Sequence, residues 1–252
     1  MGIYLNPENI DFRKSLNSEI YIDKTELIAY TNKKLNTEQG YICVSRPRRF
    51  GKSMAANMLT AYYSRGCDSR KLFQGLKIAM HPDFEKHLNQ YNVIHLNMRD
   101  YLTESENIKQ LIQFVEDDLL DELQQEFSDL RMPRRKTLVK VLEQAFAQYK
   151  IPFVFIIDEW DCIFRVHKSD AASQKEYLDF LRNLLKDKSY IALAYMTGIL
   201  PIKKYGEHSA NVFYEYSMTD ASPIEKFTGF TEQEVRQLCE QYKMPFSESL
   251  CS

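Results

Sequence analysis

The chain holds 252 residues with 33 Lys and Arg against 35 Asp and Glu, a net charge of −2 and a pI near 6.2, so overall electrostatics makes no case for nucleic acid. That length can bury one substantial core with room for a small helical subdomain, and the longest apolar runs are strand-sized, which argues against a membrane-spanning helix. Five Cys residues without pairing or a C-x-x-C, and five His residues at no metal-ligand spacing, argue against a disulfide scaffold or zinc site and point to a reduced, cytoplasmic protein.

Residues 1–39 read as a lead-in, with a short strand at 20–24 and a helical turn or two over 25–32. Charges at Glu8, Asp11, Arg13 and Lys14 leave no apolar core of signal length, so secretion is not expected. The apolar run from Tyr41 to Val44 then empties into Ser45-Arg46-Pro47-Arg48-Arg49-Phe50-Gly51-Lys52-Ser53. Such a strand–loop–helix passage reads as a phosphate-binding loop, in which successive backbone N–H groups and the helix dipole attract phosphate oxygens. Gly51 would let the backbone approach closely, Lys52 would reach the β- and γ-phosphates, and Ser53 would offer a hydroxyl to Mg²⁺. The general pattern wants Gly where Arg46 stands, so a basic surface turn is the competing reading. Met54, Met58 and Leu59 at helical spacing favour the phosphate loop. Residues expected at the nucleotide are Arg48, Arg49, Phe50, Gly51, Lys52, Ser53 and Met54.

Beyond Gly66, residues 71–76 read as a short packing element and 93–98 as a strand whose end delivers Arg99 and Asp100 to the ligand edge. Ile108, Leu111, Ile112, Val115, Leu119 and Leu123 form a helical stripe closed by Pro133. Arg131, Arg134, Arg135 and Lys136 read as a solvated helix start. A second stripe runs from Leu138 to Tyr149 and a third from Tyr177 to Leu185; all three are expected to face the core.

Between the second and third helices, Phe153-Val154-Phe155-Ile156-Ile157-Asp158-Glu159 reads as a strand buried on both faces and tipped with acid. Asp158 is the candidate Mg²⁺ carboxylate, and Glu159 the candidate for orienting or deprotonating an attacking water. Capping of a following helix is the competing reading for both, and Trp160 reads as packing. A further strand, residues 191–196, ends in Thr197-Gly198 and would set Thr197 beside Asp158, where it either holds the attacking water or simply turns the chain. Residues 212–216 could form a fifth strand, and Thr231 with Glu234 three residues on is a capping box that opens a new helix. Alternating strands and helices predict an α/β fold, a mainly parallel sheet covered on both faces, with the start of a small helical lid.

Arg46-Pro47-Arg48-Arg49-Phe50-Gly51-Lys52-Ser53, preceded by Tyr21-Ile22-Asp23-Lys24-Thr25 and followed by Ile157-Asp158-Glu159, resembles the predicted AAA-ATPase-like family. Phe73, Gly75-Leu76, Met196-Thr197-Gly198-Ile199 and Gly229-Phe230-Thr231 extend the likeness over nearly the whole chain. The resemblance implies a P-loop NTPase-type three-layer sandwich with an extra strand between the P-loop and acidic strands, ATP as the nucleotide, and Mg²⁺ held by Ser53 and Asp158. It makes Lys52, Glu159 and Thr197 the catalytic candidates, Thr197 in the water-sensing role. It also accounts for Arg46, since this Arg-rich loop is the family's usual one, and Pro47 offers preorganisation in place of a glycine.

Expected divisions are the lead-in at 1–39, the ATPase core at 40–225 and the start of a truncated lid at 226–252. Family context alone raises a homo-oligomer, a nuclease-like domain and nucleic acid as partners. A nucleotide-binding switch with little turnover and a small-molecule kinase stand as alternatives to Mg²⁺-dependent ATP hydrolysis. Arg48 and Arg49 either bind triphosphate or, the preferred reading, anchor the loop to acidic neighbours.

Overall fold

The computed structural model describes residues 2–202, 213–217 and 224–246. The apolar runs become β1 (Tyr41–Ser45), β2 (Asn92–Asn97), β3 (Phe153–Asp158) and β4 (Ile191–Gly198), joined by β5 (Tyr214–Ser217). They form one sheet in the order β2-β3-β4-β1-β5, every pairing parallel. The expected extra strand is β4, seated between the P-loop strand and the acidic strand.

Parallel strands need crossovers, and the helices that supply them cover both faces. Alternation along β3 sorts its side chains. Phe153, Phe155 and Ile157 enter a core built with α7 (Ile108–Glu126), α8 (Leu138–Tyr149) and α10 (Ala171–Leu185), as the three apolar stripes predict. Val154 and Ile156 face the opposite core, where α3 (Lys52–Tyr63) packs with α1 (Ile10–Leu16) and α2 (Glu26–Asn32), and where the short α4 (Arg70–Phe73) and α5 (Phe84–His87) add Phe73 and Phe84. Among the described residues, no helix is long and apolar enough to cross a membrane.

Two local expectations change, and a third is met. The strand expected at 20–24 does not form: Tyr21 turns its ring onto Phe12, Asp23 accepts from the N–H and hydroxyl of Thr25, and Lys24 is drawn to the far end of the chain. Arg99 and Asp100 do not prolong β2 but lie exposed in the first turn of α6 (Met98–Glu104), whose N-cap Asn97 accepts from the Arg99 N–H. The capping box at Thr231 and Glu234 is present and opens α11 (Glu232–Gln241), while residues 247–252, expected to end a truncated lid, lie outside the described residues.

Candidate functional site

Parallel register lines up the carboxyl ends of the central strands. Asn97 pairs with Asp158, and one residue beyond the Ile157–Met196 pair stands Thr197, itself opposite Val44. The expected neighbours therefore meet at one edge of the sheet.

The loop after β1 owes its shape to residues 46–51. Arg46 continues the ladder, its N–H donating to the Gly198 carbonyl at 3.1 Å, and it has no positive φ, so nothing at this position requires glycine. Left-handed backbone falls instead at Arg49 (φ 69°) and Gly51 (φ 70°). A Cβ on Gly51 would meet nothing within 4 Å, so glycine serves the conformation there and leaves that side of the loop open. Arg46 is itself only 3% exposed, and its Nε donates to Thr228 Oγ1 at 3.2 Å. Gly229 N–H donates to the Phe50 carbonyl at 2.9 Å, so residues 228–229, just before α11, clasp the loop near both its ends.

Lys52 begins α3 and is buried; its Nζ donates to the carbonyls of Arg46 at 2.9 Å and Pro47 at 2.7 Å. Burial draws its ammonium below the usual lysine range, against the opposing pull of Glu159 and Asp158. Ser53 Oγ donates to Asp158 Oδ2 at 2.5 Å, and the Thr197 hydroxyl donates to Asp158 Oδ1. The Asp158 carboxylate is 5% exposed and so held from two sides. Thr197 is fully buried and its single proton is committed to Asp158.

Glu159 has a left-handed backbone (φ 54°), and its carboxylate pairs with Arg165 of α9 (Cys162–Val166). Asp161, fully buried, accepts from the N–H groups of Ile199 at 3.0 Å and Leu200 at 2.8 Å. Neither Asp158 nor Glu159 caps α9, whose N-cap is Asp161. Trp160 is fully buried against Phe164, and a Cβ on Gly198 would come within 2.5 Å of its Nε1. Glycine at the end of β4 is the room that indole needs.

Arg48 and Arg49 are exposed, and among the described residues neither makes the expected pairing with an acidic side chain. The acids that act on Lys52 are engaged elsewhere, Glu159 by Arg165, Asp158 by Ser53 and Thr197, and Asp161 by backbone N–H groups. Arg49 lines a mostly apolar pocket of about 150 Å³, with Phe50, Gly51 and Met54 also on its wall. Tyr21 and Ile22 of the lead-in and Phe227 and Phe230 before α11 complete the wall. Sequence patterns did not foretell this pocket, the burial of Arg46, or the Glu159–Arg165–Asp161 cluster. An Arg four residues after Asp161, within helical reach, was the one local signal available.

A five-stranded parallel sheet with helices on both faces, in which a strand–loop–helix bearing Lys52 and Ser53 meets an acid-tipped strand, defines a P-loop NTPase-type sandwich. The model of the AAA-ATPase-like family, described as a predicted AAA-ATPase, matches residues 11–206, and the chain belongs to that family. No curated protein matches the chain.

Proposed function

We propose that the chain binds ATP with Mg²⁺ and hydrolyses it, with residues 40–225 as the ATPase core, 1–39 as a lead-in packed on it and 226–252 as the start of a lid. The observation that carries this reading is the convergence of Ser53 and Lys52, at the start of α3, on the acidic tip of β3, with Ser53 Oγ 2.5 Å from Asp158 Oδ2. Binding falls to the loop N–H groups, to Lys52 exchanging its two carbonyl bonds for phosphate oxygens, and to Arg48 and Arg49, exposed cations of the same loop that pair with no acid among the described residues. The pocket flanked by Tyr21, Met54 and Phe230 supplies an apolar slot for the base.

Ser53 and Asp158 fit Mg²⁺ by chemistry: both offer hard oxygens within bonding distance of each other. Mg²⁺ bound there would take waters and phosphate oxygens as its other ligands. When bound, it would neutralise charge developing on the phosphates. Glu159 takes the water's proton, Thr197 holds Asp158 in place, and Lys52 stabilises the charge on the transferred phosphoryl group.

Phosphate release by the purified chain, measured with Mg²⁺ and ATP over a range of protein concentrations and with and without DNA, tests the reading. Turnover supports it, and a steep rise with concentration adds an assembled ATPase. Binding without release would replace it by a nucleotide switch, and phosphate transfer to a metabolite would replace it by a kinase.

A further inference from the structure

Glu159 is held from behind. Arg165 Nη2 donates to its Oε2, and the Arg165 Nε lies 3.3 Å from Asp161 Oδ2, a contact of opposite charges rather than an aligned hydrogen bond. The two paired side chains are 18% and 19% exposed, while Asp161 is fully buried and fixed by the N–H groups of Ile199 and Leu200. One guanidinium thus ties the end of β3 to the backbone that follows Thr197-Gly198.

Backbone geometry adds to this. At φ 54° Glu159 occupies a region that residues with a Cβ adopt only when their surroundings impose it, and its N–H donates to Asp158 Oδ1 at 3.0 Å. The Glu159 charge also acts on the buried Lys52 ammonium, so it is felt in the phosphate loop as well as at Arg165. A Glu side chain with several free torsions would otherwise collapse toward Lys52 or sample other rotamers.

We propose that Arg165 is the positioning residue for Glu159, braced by Asp161, and that it sets the direction from which the carboxylate meets the attacking water. This rests on the ATPase reading above. Arg165 touches no phosphate in this role; it acts through Glu159. A planar fork that meets Glu159 through one nitrogen and Asp161 through another cannot be reproduced by a single ammonium, which explains why arginine stands here.

Steady-state kinetics of Arg165→Ala and Arg165→Lys, with single-turnover rates of Glu159→Gln and the Glu159→Gln/Arg165→Ala double variant, test it. Arg165→Ala should lose about 10–100-fold in kcat, the scale of a small misplacement of a reacting group, with the KM for ATP nearly unchanged. Arg165→Lys should fall between it and the parent, and the double variant should be no slower than Glu159→Gln alone. Because Arg165→Ala removes the guanidinium that faces the fully buried Asp161, Trp160 fluorescence and thermal unfolding accompany each variant; if Arg165→Ala does not fold, the Arg165→Lys comparison decides. Parent-like kcat in the folded variants, a rise in KM that matches the loss of kcat, or multiplicative losses in the double variant would overturn the assignment. A parent chain that binds ATP without hydrolysing it would overturn the ATPase reading and this one with it, whereas an active parent matched by its Arg165 variants would overturn this one alone.

Discussion

Ser53 Oγ donates to Asp158 Oδ2 at 2.5 Å even though β1, which leads to Ser53, and β3, which ends at Asp158, are not neighbours in the sheet. The strand between them, β4, contributes Thr197 to the other oxygen of the same carboxylate. Three elements therefore agree on the position of one side chain. Both donors are hydroxyls, which rotate at little cost, so either oxygen of Asp158 can turn to a cation without the sheet moving.

Lys52→Ala should weaken ATP binding at least about 100-fold, since each hydrogen bond from a charged donor contributes about 1.5–3 kcal/mol and Lys52 makes several at once. The parent lysine already holds two loop carbonyls, at 2.9 and 2.7 Å, so its removal also loosens the loop. Titration calorimetry with Mg²⁺ and ATP reads the affinity, and circular dichroism reports the fold. A parent-like affinity would take Lys52 out of the phosphate site.

Glu159→Gln should keep ATP bound and lower kcat by about 10²–10⁴-fold, the span of general-base contributions. Glutamine retains the shape and can still accept from Arg165, so the geometry around Asp161 survives. Nucleotide content after gel filtration, set beside the rate of phosphate release, separates trapping from lost binding. Parent-like release would mean that another group takes the proton.

These residues were legible in sequence because each sits where a local pattern ends: Lys52 where a strand run meets a helix, Asp158 and Glu159 where five apolar residues stop, Glu234 three residues after its cap. Period and punctuation are local, and the strands and amphipathic helices follow from them. What was not legible depends on partners far along the chain. Lys24 meets Glu234, Arg46 meets Thr228, and the pocket joins Tyr21 to Phe230. Residues 20–24 looked like a strand because Ile20, Tyr21 and Ile22 form a short β-branched and aromatic run, but they join no strand among the described residues and their side chains pack or pair instead. Arg46 looked like a defect in a glycine pattern because a one-dimensional motif does not say which loop positions take left-handed backbone; here they are 49 and 51.

Phe230→Ala tests the base slot. Phe230 lines the pocket yet is 61% exposed, so truncating it should leave thermal stability almost unchanged. Loss of an aromatic face against a nucleobase costs about 1–3 kcal/mol, and at the low end ATP affinity would fall about fivefold. Inorganic tripolyphosphate has no base and should bind parent and variant alike. Equal weakening for both ligands would assign Phe230 to the loop rather than to the slot.

Lys24 and Glu234 join the segment before α2 to α11, with Lys24 Nζ 2.6 Å from Glu234 Oε2 and also donating to the Lys226 carbonyl at 2.8 Å. Glu234 serves two partners, since its carboxylate also accepts from the Thr231 N–H at 2.7 Å in the capping box. Burial would raise its carboxyl, but the bonds from Lys24 and Thr231 outweigh it and leave it below the usual value of 4.5. A carboxylate lowered on folding contributes stability that is complete above its unfolded value and is lost as pH falls through its folded value. Thermal unfolding of the parent and Lys24→Met should therefore differ at pH 7, with the variant melting lower, and the gap should close as pH drops below about 4.5. Glu234→Gln separates the two partners of this carboxylate, because glutamine still completes a capping box while its charge is gone. It should reproduce the Lys24→Met loss at pH 7 and show the same convergence in acid. A gap that persists unchanged at pH 3 would mean that Lys24 supports α11 by packing its stem rather than by its charge.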